Sequence, residues 1–305
     1  MKHLICLFDL TVGDIEEILN VSTELKSKLK QKNRPPLLQG CVLTQIFEKP
    51  SLRTRNSFEV AMIQLGGDGI FLTDKDVGLN GREKLSDIAR VLSSYSDVIV
   101  MRTFSQERIR EFSRHSKCPV INGLSDDSHP CQALTDLLTI REVFGDLNGQ
   151  RIVFIGDGNN VARSLAAAAS LFRLSFTVAS PPGYELDEEF LSDLKQHIPT
   201  AEVTHITDPI EAVKQADIVY TDVWASMGQE SEATQRKKVF ASYQVNTSLM
   251  AQAPVGCRFM HDLPARRGME VTDDVIDGAQ SIVFQQAENR LHLAKGLLVW
   301  LLEQS

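Results

Sequence analysis

Apolar positions along the chain switch repeatedly between helical spacing and short unbroken runs. Across residues 14–30, Ile15, Ile18, Leu19, Val21, Leu25 and Leu29 recur among charged side chains, which predicts an amphipathic surface helix ended by Arg34-Pro35-Pro36. Val42, Leu43, Ile46 and Phe47 predict a buried strand. Phe58, Met62, Ile63 and Leu65 then return to helical spacing, with Gly66-Gly67 as the stop. Further strands are expected at 70–72, 98–101 and 119–121, helices at 84–94 and 105–115, and a polar loop over 74–81. The pattern restarts at Gly149-Gln150, with strands at 151–155, 176–179, 218–220 and 258–260 and helices at 161–172, 190–196 and 209–215. An apolar helix over 287–302 closes the chain. Such alternation predicts an α/β protein of two doubly wound parallel-sheet domains, 1–145 and 146–286. A ligand crevice is expected between them, at the carboxyl ends of the strands.

Composition narrows the function classes. A length of 305 residues suits two domains. A net charge of −8 argues against nucleic acid or an anionic membrane as partner, so any cationic site must be local and built from a few arginines. No apolar run approaches the ~18 residues that span a bilayer, and Met1-Lys2-His3-Leu4-Ile5-Cys6 lacks a signal-like core. The five cysteines (Cys6, Cys41, Cys118, Cys131, Cys257) are scattered, with neither a paired spacing nor a metal-ligand spacing. They read as reduced thiols of a cytoplasmic protein, mostly packed.

Candidate chemistry collects where strands end. Glu48-Lys49-Pro50-Ser51-Leu52-Arg53-Thr54-Arg55 sits where a strand hands over to a helix. Free N–H groups and the positive dipole end favour a phosphate there; Ser51 and Thr54 add hydroxyls, and Arg53 and Arg55 add forked cations. Helix capping alone is the plainer explanation of the two hydroxyls. Arg102, Asp127-Ser128-His129-Pro130-Cys131-Gln132, Asp157-Gly158-Asn159-Asn160, Asp222-Val223-Trp224 and His261-Asp262-Leu263-Pro264 follow other strands. Any one of these could be a solvated loop; five at five strand ends fit that explanation poorly. Gly156-Asp157-Gly158-Asn159-Asn160-Val161 has Val161 where a dinucleotide fingerprint needs its third glycine, and no acidic residue ends the next strand, which counts against a dehydrogenase. His115, His197 and His205 read as surface residues, and Cys131 as packed rather than nucleophilic.

With those residues in view, the chain resembles the aspartate and ornithine carbamoyltransferases. Phe47 to Arg55 with His129-Pro130-Cys131-Gln132 is similar to that family's carbamoyl phosphate site. Gly156 to Asn160, Asp222-Val223-Trp224-Ala225-Ser226-Met227-Gly228 and Gln286 to His292 are similar to its ornithine branch. The resemblance implies a carbamoyl phosphate domain completed by the last helix (287–305) and an ornithine domain. It implies that Ser51, Leu52 (through its N–H), Arg53 and Thr54 hold the phosphate. Arg102 and His129 would bind the carbamoyl oxygen, Gln132 the carbamoyl amide, and Arg290 would reach in from the last helix. Asn160, Asp222, Ser226 and Met227 would hold the amino-acid end of L-ornithine, with Asp262 and Leu263 beside the reacting amine. The expected reaction is direct attack of the ornithine δ-amine on carbamoyl phosphate, giving citrulline and phosphate with no cofactor or metal, in a homotrimer. Arg53, Arg102, His129 and Asp262 would carry the catalysis.

Three positions depart from the family pattern. Leu52 stands where Thr is commoner. Gly78 stands where many relatives have a glutamine contacting carbamoyl phosphate. Asp262 stands where His-Cys-Leu-Pro would put cysteine. An aspartate there could hold the δ-ammonium, accept its proton, keep it protonated and unreactive, or rotate away. Two alternatives remain open at this stage: a carbamoyltransferase for another amine (an N-acylated ornithine or putrescine), and a non-catalytic anion-binding relative.

Overall fold

The computed structural model describes residues 2–79, 81, 83–225 and 232–303. Its contacts divide the chain into two compact units, Met1–Leu138 with Glu288–Ser305, and Thr139–Ala287.

In the first unit, helix α1 (Val12–Lys30) starts at Thr11, whose hydroxyl accepts from the Asp14 N–H while the Asp14 carboxylate accepts from the Thr11 N–H. Then follow β1 (Val42–Phe47), α2 (Leu52–Gln64), β2 (Asp68–Thr73), α3 (Asp74–Val77), α4 (Leu85–Leu92), β3 (Val98–Arg102), α5 (Gln106–His115), β4 (Val120–Leu124) and α6 (Pro130–Phe144). The four strands form an all-parallel sheet in the order β2-β1-β3-β4, with Leu43 beside Gly69 and Val98. β3 is buried along its whole length, as its unbroken apolar run requires of a strand covered on both faces. The 74–81 segment is not all loop. Asp76 accepts from Thr73 N and caps one helical turn, and Gly78, at φ +74°, ends it in the left-handed conformation.

The second unit holds β5 (Arg151–Ile155), α7 (Asn160–Leu171), β6 (Ser175–Ala179), α8 (Glu188–His197), β7 (Val203–Ile206), α9 (Pro209–Val213), β8 (Ile218–Thr221), α10 (Ala233–Val239), α11 (Thr247–Met250), β9 (Arg258–Met260) and α12 (Asp273–Ile276). Its sheet is also wholly parallel, in the order β7-β6-β5-β8-β9. The last helix, α13 (Val283–Glu303), begins in this unit, and from Glu288 onward belongs to the first. In this division the first unit's opening segment ends within α6, at Leu138. Glu142, late in α6, accepts from Gln285 of the second unit's run (2.9 Å), which places the helix's last turn there. Among the described residues no helix is long and apolar enough to cross a membrane.

Both sheets share one topological property. In the first, β2 lies to one side of β1 and β3 to the other; in the second, β6 and β8 flank β5 in the same way. Loops leaving the carboxyl ends of such central pairs diverge to opposite sides and leave a crevice. The loops after β1 and β3, and after β5 and β8, carry several of the candidate residues; His129 and Gln132 follow β4, and Asp262 and Leu263 follow β9.

Candidate active site

Ser51 caps α2, its hydroxyl accepting from Thr54 N (3.3 Å). Leu52 is 73% exposed at the first helical position, so its backbone is available while its side chain stands in solvent. Thr54 is buried, and two guanidinium groups donate to its hydroxyl: Arg290 Nη2 at 3.0 Å and Arg102 Nη1 at 3.4 Å. Arg102 ends β3 where the register against β4 shifts, a local irregularity that re-aims a side chain at a strand end. Gln132, in the first turns of α6, accepts from Arg290 Nη1 and donates to Asp136 (2.8 Å). His129 is buried just before α6. Burial, reinforced by Arg290 and Arg102, holds its imidazole well below the usual histidine range. The ring is therefore neutral at pH 7, able to donate from one nitrogen.

The loop is anchored from outside this cluster. Glu48 pairs with Arg108 and accepts from Phe104 N (2.8 Å), while the Lys49 ammonium lies 3.4 Å from the Phe104 ring centroid. Arg53 is half-buried; Arg55 is exposed, lies over Phe71 (3.8 Å) and pairs with Glu59, so it serves the outer flank and not the cluster. On that flank a cavity of about 610 Å³ is lined by Ser51, Leu52, Arg55, Glu59, Ile63 and Phe71 among others, but by none of Thr54, Arg102, His129 or Gln132.

In the second unit the centre is acidic. Asp222 follows β8 and is buried; it accepts from Asn159 Nδ2 (2.7 Å) and from Val223 N (2.6 Å). Burial and the facing Asp262 carboxylate push Asp222 well above the usual carboxylate range. His261, after β9, is enclosed: its Nδ1 lies 3.3 Å from Asp262 and its Nε2 3.4 Å from the buried Glu270. Burial opposes the imidazolium, but the two carboxylates outweigh it and lift His261 to about 9. In the neutral ring, Leu263 N donates to Nδ1 (2.9 Å) and the remaining proton sits on Nε2, toward Glu270. Leu263 itself adopts φ +58°, a left-handed backbone rare for a branched side chain, which marks this turn as held by its surroundings. Asp222, His261 and Asp262 each present a ligand atom within 4.8 Å of the others, a group that suits a cation, whether a metal ion or an organic ammonium.

The structure brings Thr54, Arg102, Gln132 and Arg290 together, with His129 under the same two cations, and it brings Asp222 and Asp262 together. Ser51 and Leu52 stand at the same helix start as Thr54. Asn160 opens α7 with its side chain on Val161 N (3.1 Å), whereas its neighbour Asn159, which the sequence left without a role, both caps α7 and holds Asp222. Arg236 was also missed. It sits on α10 and pairs with Asp157 (2.6 Å), fixing the loop after β5. Its only sequence signal is a basic run, Arg236-Lys237-Lys238, that looks like solvated surface. Ser226 and Met227 lie outside the described residues. Cys131 is packed, its thiol pushed up to about 12 by burial. His197 and His205 are exposed, and His115 is half-buried.

Fold and site define a class: a two-unit parallel α/β protein with a cationic cradle at a helix start in one unit and a buried acidic cluster in the other. Comparison with known proteins is specific. Residues 2–142 match the carbamoyl-P binding domain of aspartate/ornithine carbamoyltransferase, and residues 148–301 match its Asp/Orn binding domain. The ornithine carbamoyltransferase of Anoxybacillus flavithermus is 50% identical over 303 residues, 99% of this chain and 96% of its own. That of Bacillus subtilis is 49% identical over 299 residues, 97% of this chain and 92% of its own. The solved ornithine carbamoyltransferase from Pyrococcus furiosus superposes with a TM-score of 0.94 at 46% identity, covering 100% of this chain and 98% of that one. This chain belongs to the aspartate/ornithine carbamoyltransferase family.

Proposed function

We propose that this carbamoyltransferase moves the carbamoyl group of carbamoyl phosphate to the δ-amine of L-ornithine, releasing citrulline and phosphate. The observation that carries the reading is the convergence of Arg102 and Arg290 on the Thr54 hydroxyl at the start of α2. The N–H groups of Ser51 to Thr54, with Arg53, hold the phosphate as it leaves. Arg102, His129 and Thr54 donate to the carbamoyl oxygen as negative charge grows on it, and Gln132 receives the carbamoyl amide. Neutral His129 suits this role, because it donates a hydrogen bond without entering the site as a third cation. Asn160, Asp222, Ser226 and Met227 bind the α-ammonium and α-carboxylate. Asp262, with Leu263, faces the δ-amine and takes its proton. Orientation and fixed charge supply the catalysis, and no step runs through a metal or cofactor.

The acidic cluster favours ornithine over aspartate, since a second substrate carboxylate would face the carboxylates of Asp222 and Asp262. Putrescine would leave the groups around Asp222 without the α-substituents they suit. The enzyme is placed in the cytoplasm and in arginine biosynthesis; the biosynthetic reading is supported by the Pyrococcus furiosus relative, 48% identical, whose name describes it as anabolic. It assembles as a homotrimer. Leu52 (73% exposed) and Ile63 (57% exposed) on α2 line the 610 Å³ cavity and supply an apolar face for a subunit contact. The test of the phosphate site is Arg53→Ala: phosphate release should fall at least a hundredfold, and near-normal turnover would refute the assignment.

A further inference from the structure

Gln132 is held at both ends by partners of one polarity. Its Nε2 donates to Asp136 Oδ1 at 2.8 Å, and its Oε1 accepts from Arg290 Nη1. A carboxylate only accepts and a guanidinium only donates, so the amide has one permitted orientation. All three side chains are buried, with Asp136 and Gln132 one turn apart on α6, so a flipped amide would put oxygen against carboxylate and N–H against guanidinium in a dry setting. Arg290 also donates to Thr54, which places this amide oxygen on the guanidinium that reaches the cradle. A carbonyl oxygen has two lone pairs, and the second is what Gln132 offers a ligand. It accepts and does not donate.

We propose that Asp136 is a positioning residue for acyl-group selectivity: by fixing Gln132 with its oxygen toward the cradle, it favours an acyl phosphate bearing NH2 over one bearing methyl or a carboxylate oxygen. A carbamoyl NH2 donates to the fixed oxygen, a methyl group leaves it unsatisfied, and an anionic oxygen is repelled. This deepens the carbamoyl phosphate reading above and rests on it. Asp136 acts only through Gln132 and touches no substrate.

The experiment compares two stable mimics that differ in one group, phosphonoacetamide (NH2) and 2-oxopropylphosphonate (CH3), with inorganic phosphate as the control ligand. The unaltered protein should prefer the amide by about tenfold, the scale of one hydrogen bond whose loss leaves a buried acceptor unsatisfied. Asp136→Asn keeps an acceptor for Nε2 and should keep the preference. Asp136→Leu removes it and should bring the two mimics within about twofold while phosphate affinity stays unchanged, a pattern that general loosening of the fold would not give. An amide preference that survives in folded Asp136→Leu overturns the proposal. Should that variant not fold, neutron diffraction on the deuterated unaltered protein with phosphonoacetamide decides instead: the Gln132 deuteriums must lie toward Asp136, and finding them toward the ligand overturns it. If the unaltered protein binds phosphate but neither mimic better than phosphate, the carbamoyl phosphate reading itself falls, and this inference with it.

Discussion

Asp262 shows what a single substitution does to a site. With cysteine there, as the family pattern has it, Asp222 would face a thiol; here it faces a second carboxylate, and burial together with that charge pushes its own carboxyl up. In the proposed reading Asp222 receives the α-ammonium and Asp262 the δ-amine of the same ornithine. Asp262→Asn should therefore weaken ornithine binding about ten- to a hundredfold, the range for losing one charged hydrogen-bond partner, with carbamoyl phosphate affinity unchanged. Calorimetric titration of each substrate measures this, and unchanged ornithine affinity would place Asp262 outside the site. His261 gives a second expectation. Its folded pKa of about 9 exceeds the ordinary 6.5, so the folded state holds the proton more tightly than the unfolded chain. That stabilisation is complete below about pH 6.5, fades as pH rises through about 9, and amounts to about 3 kcal/mol at most. Urea unfolding from pH 6 to 10 should show it, and His261→Gln should flatten that slope; parallel profiles would contradict the assignment. The phosphate loop stood out in the sequence as an anion candidate by its residue types at a strand–helix junction, and Asp222 by its place at a strand end together with the family resemblance. Asn159 was not, because two adjacent asparagines look alike until the chain's path shows which one turns toward Asp222.

The apolar runs within β3 and β5 were legible because burial on both faces favours apolar side chains throughout, and β1 was legible from Val42, Leu43, Ile46 and Phe47 despite the buried Thr44 and Gln45 between them. Strand β7 was missed, since Val203-Thr204-His205-Ile206 forms an edge with no buried residue. The one-turn helix α3 was read as loop because its signal is a cap and a left-handed glycine, not a hydrophobic period. The register of α13 on α1 was also beyond the sequence, because it depends on close backbone approach. A Cβ on Gly296 would lie against Ser22 Oγ and 2.7 Å from the Ile18 carbonyl oxygen. Gly296→Ala should destabilise the protein by about 1–3 kcal/mol, as overpacking does, although alanine is the better helix former. Because Arg290 rides on the same helix, carbamoyl phosphate affinity should fall with stability. Denaturant unfolding and a binding titration measure the two losses, and an unchanged unfolding midpoint would mean that the helices do not approach this closely.

At the scale of the whole molecule, the order of elements and the pair of parallel sheets follow from the alternation of periods, whereas the switch points depend on strand order, which no local pattern encodes. Nor does the sequence separate an exposed apolar face from a buried one: Ile63 looks like core at helical spacing, yet it stands in solvent on α2. If that face joins subunits, Ile63→Glu should shift the assembly from trimer toward monomer in light scattering while leaving the unit folded; an unchanged mass would locate the interface elsewhere. The measurement that tests the account most directly is phosphate release from carbamoyl phosphate with ornithine, N-acetylornithine, putrescine and aspartate offered one at a time. Turnover with ornithine alone is expected. Turnover with another amine, or none with any of the four while carbamoyl phosphate still binds, would contradict it.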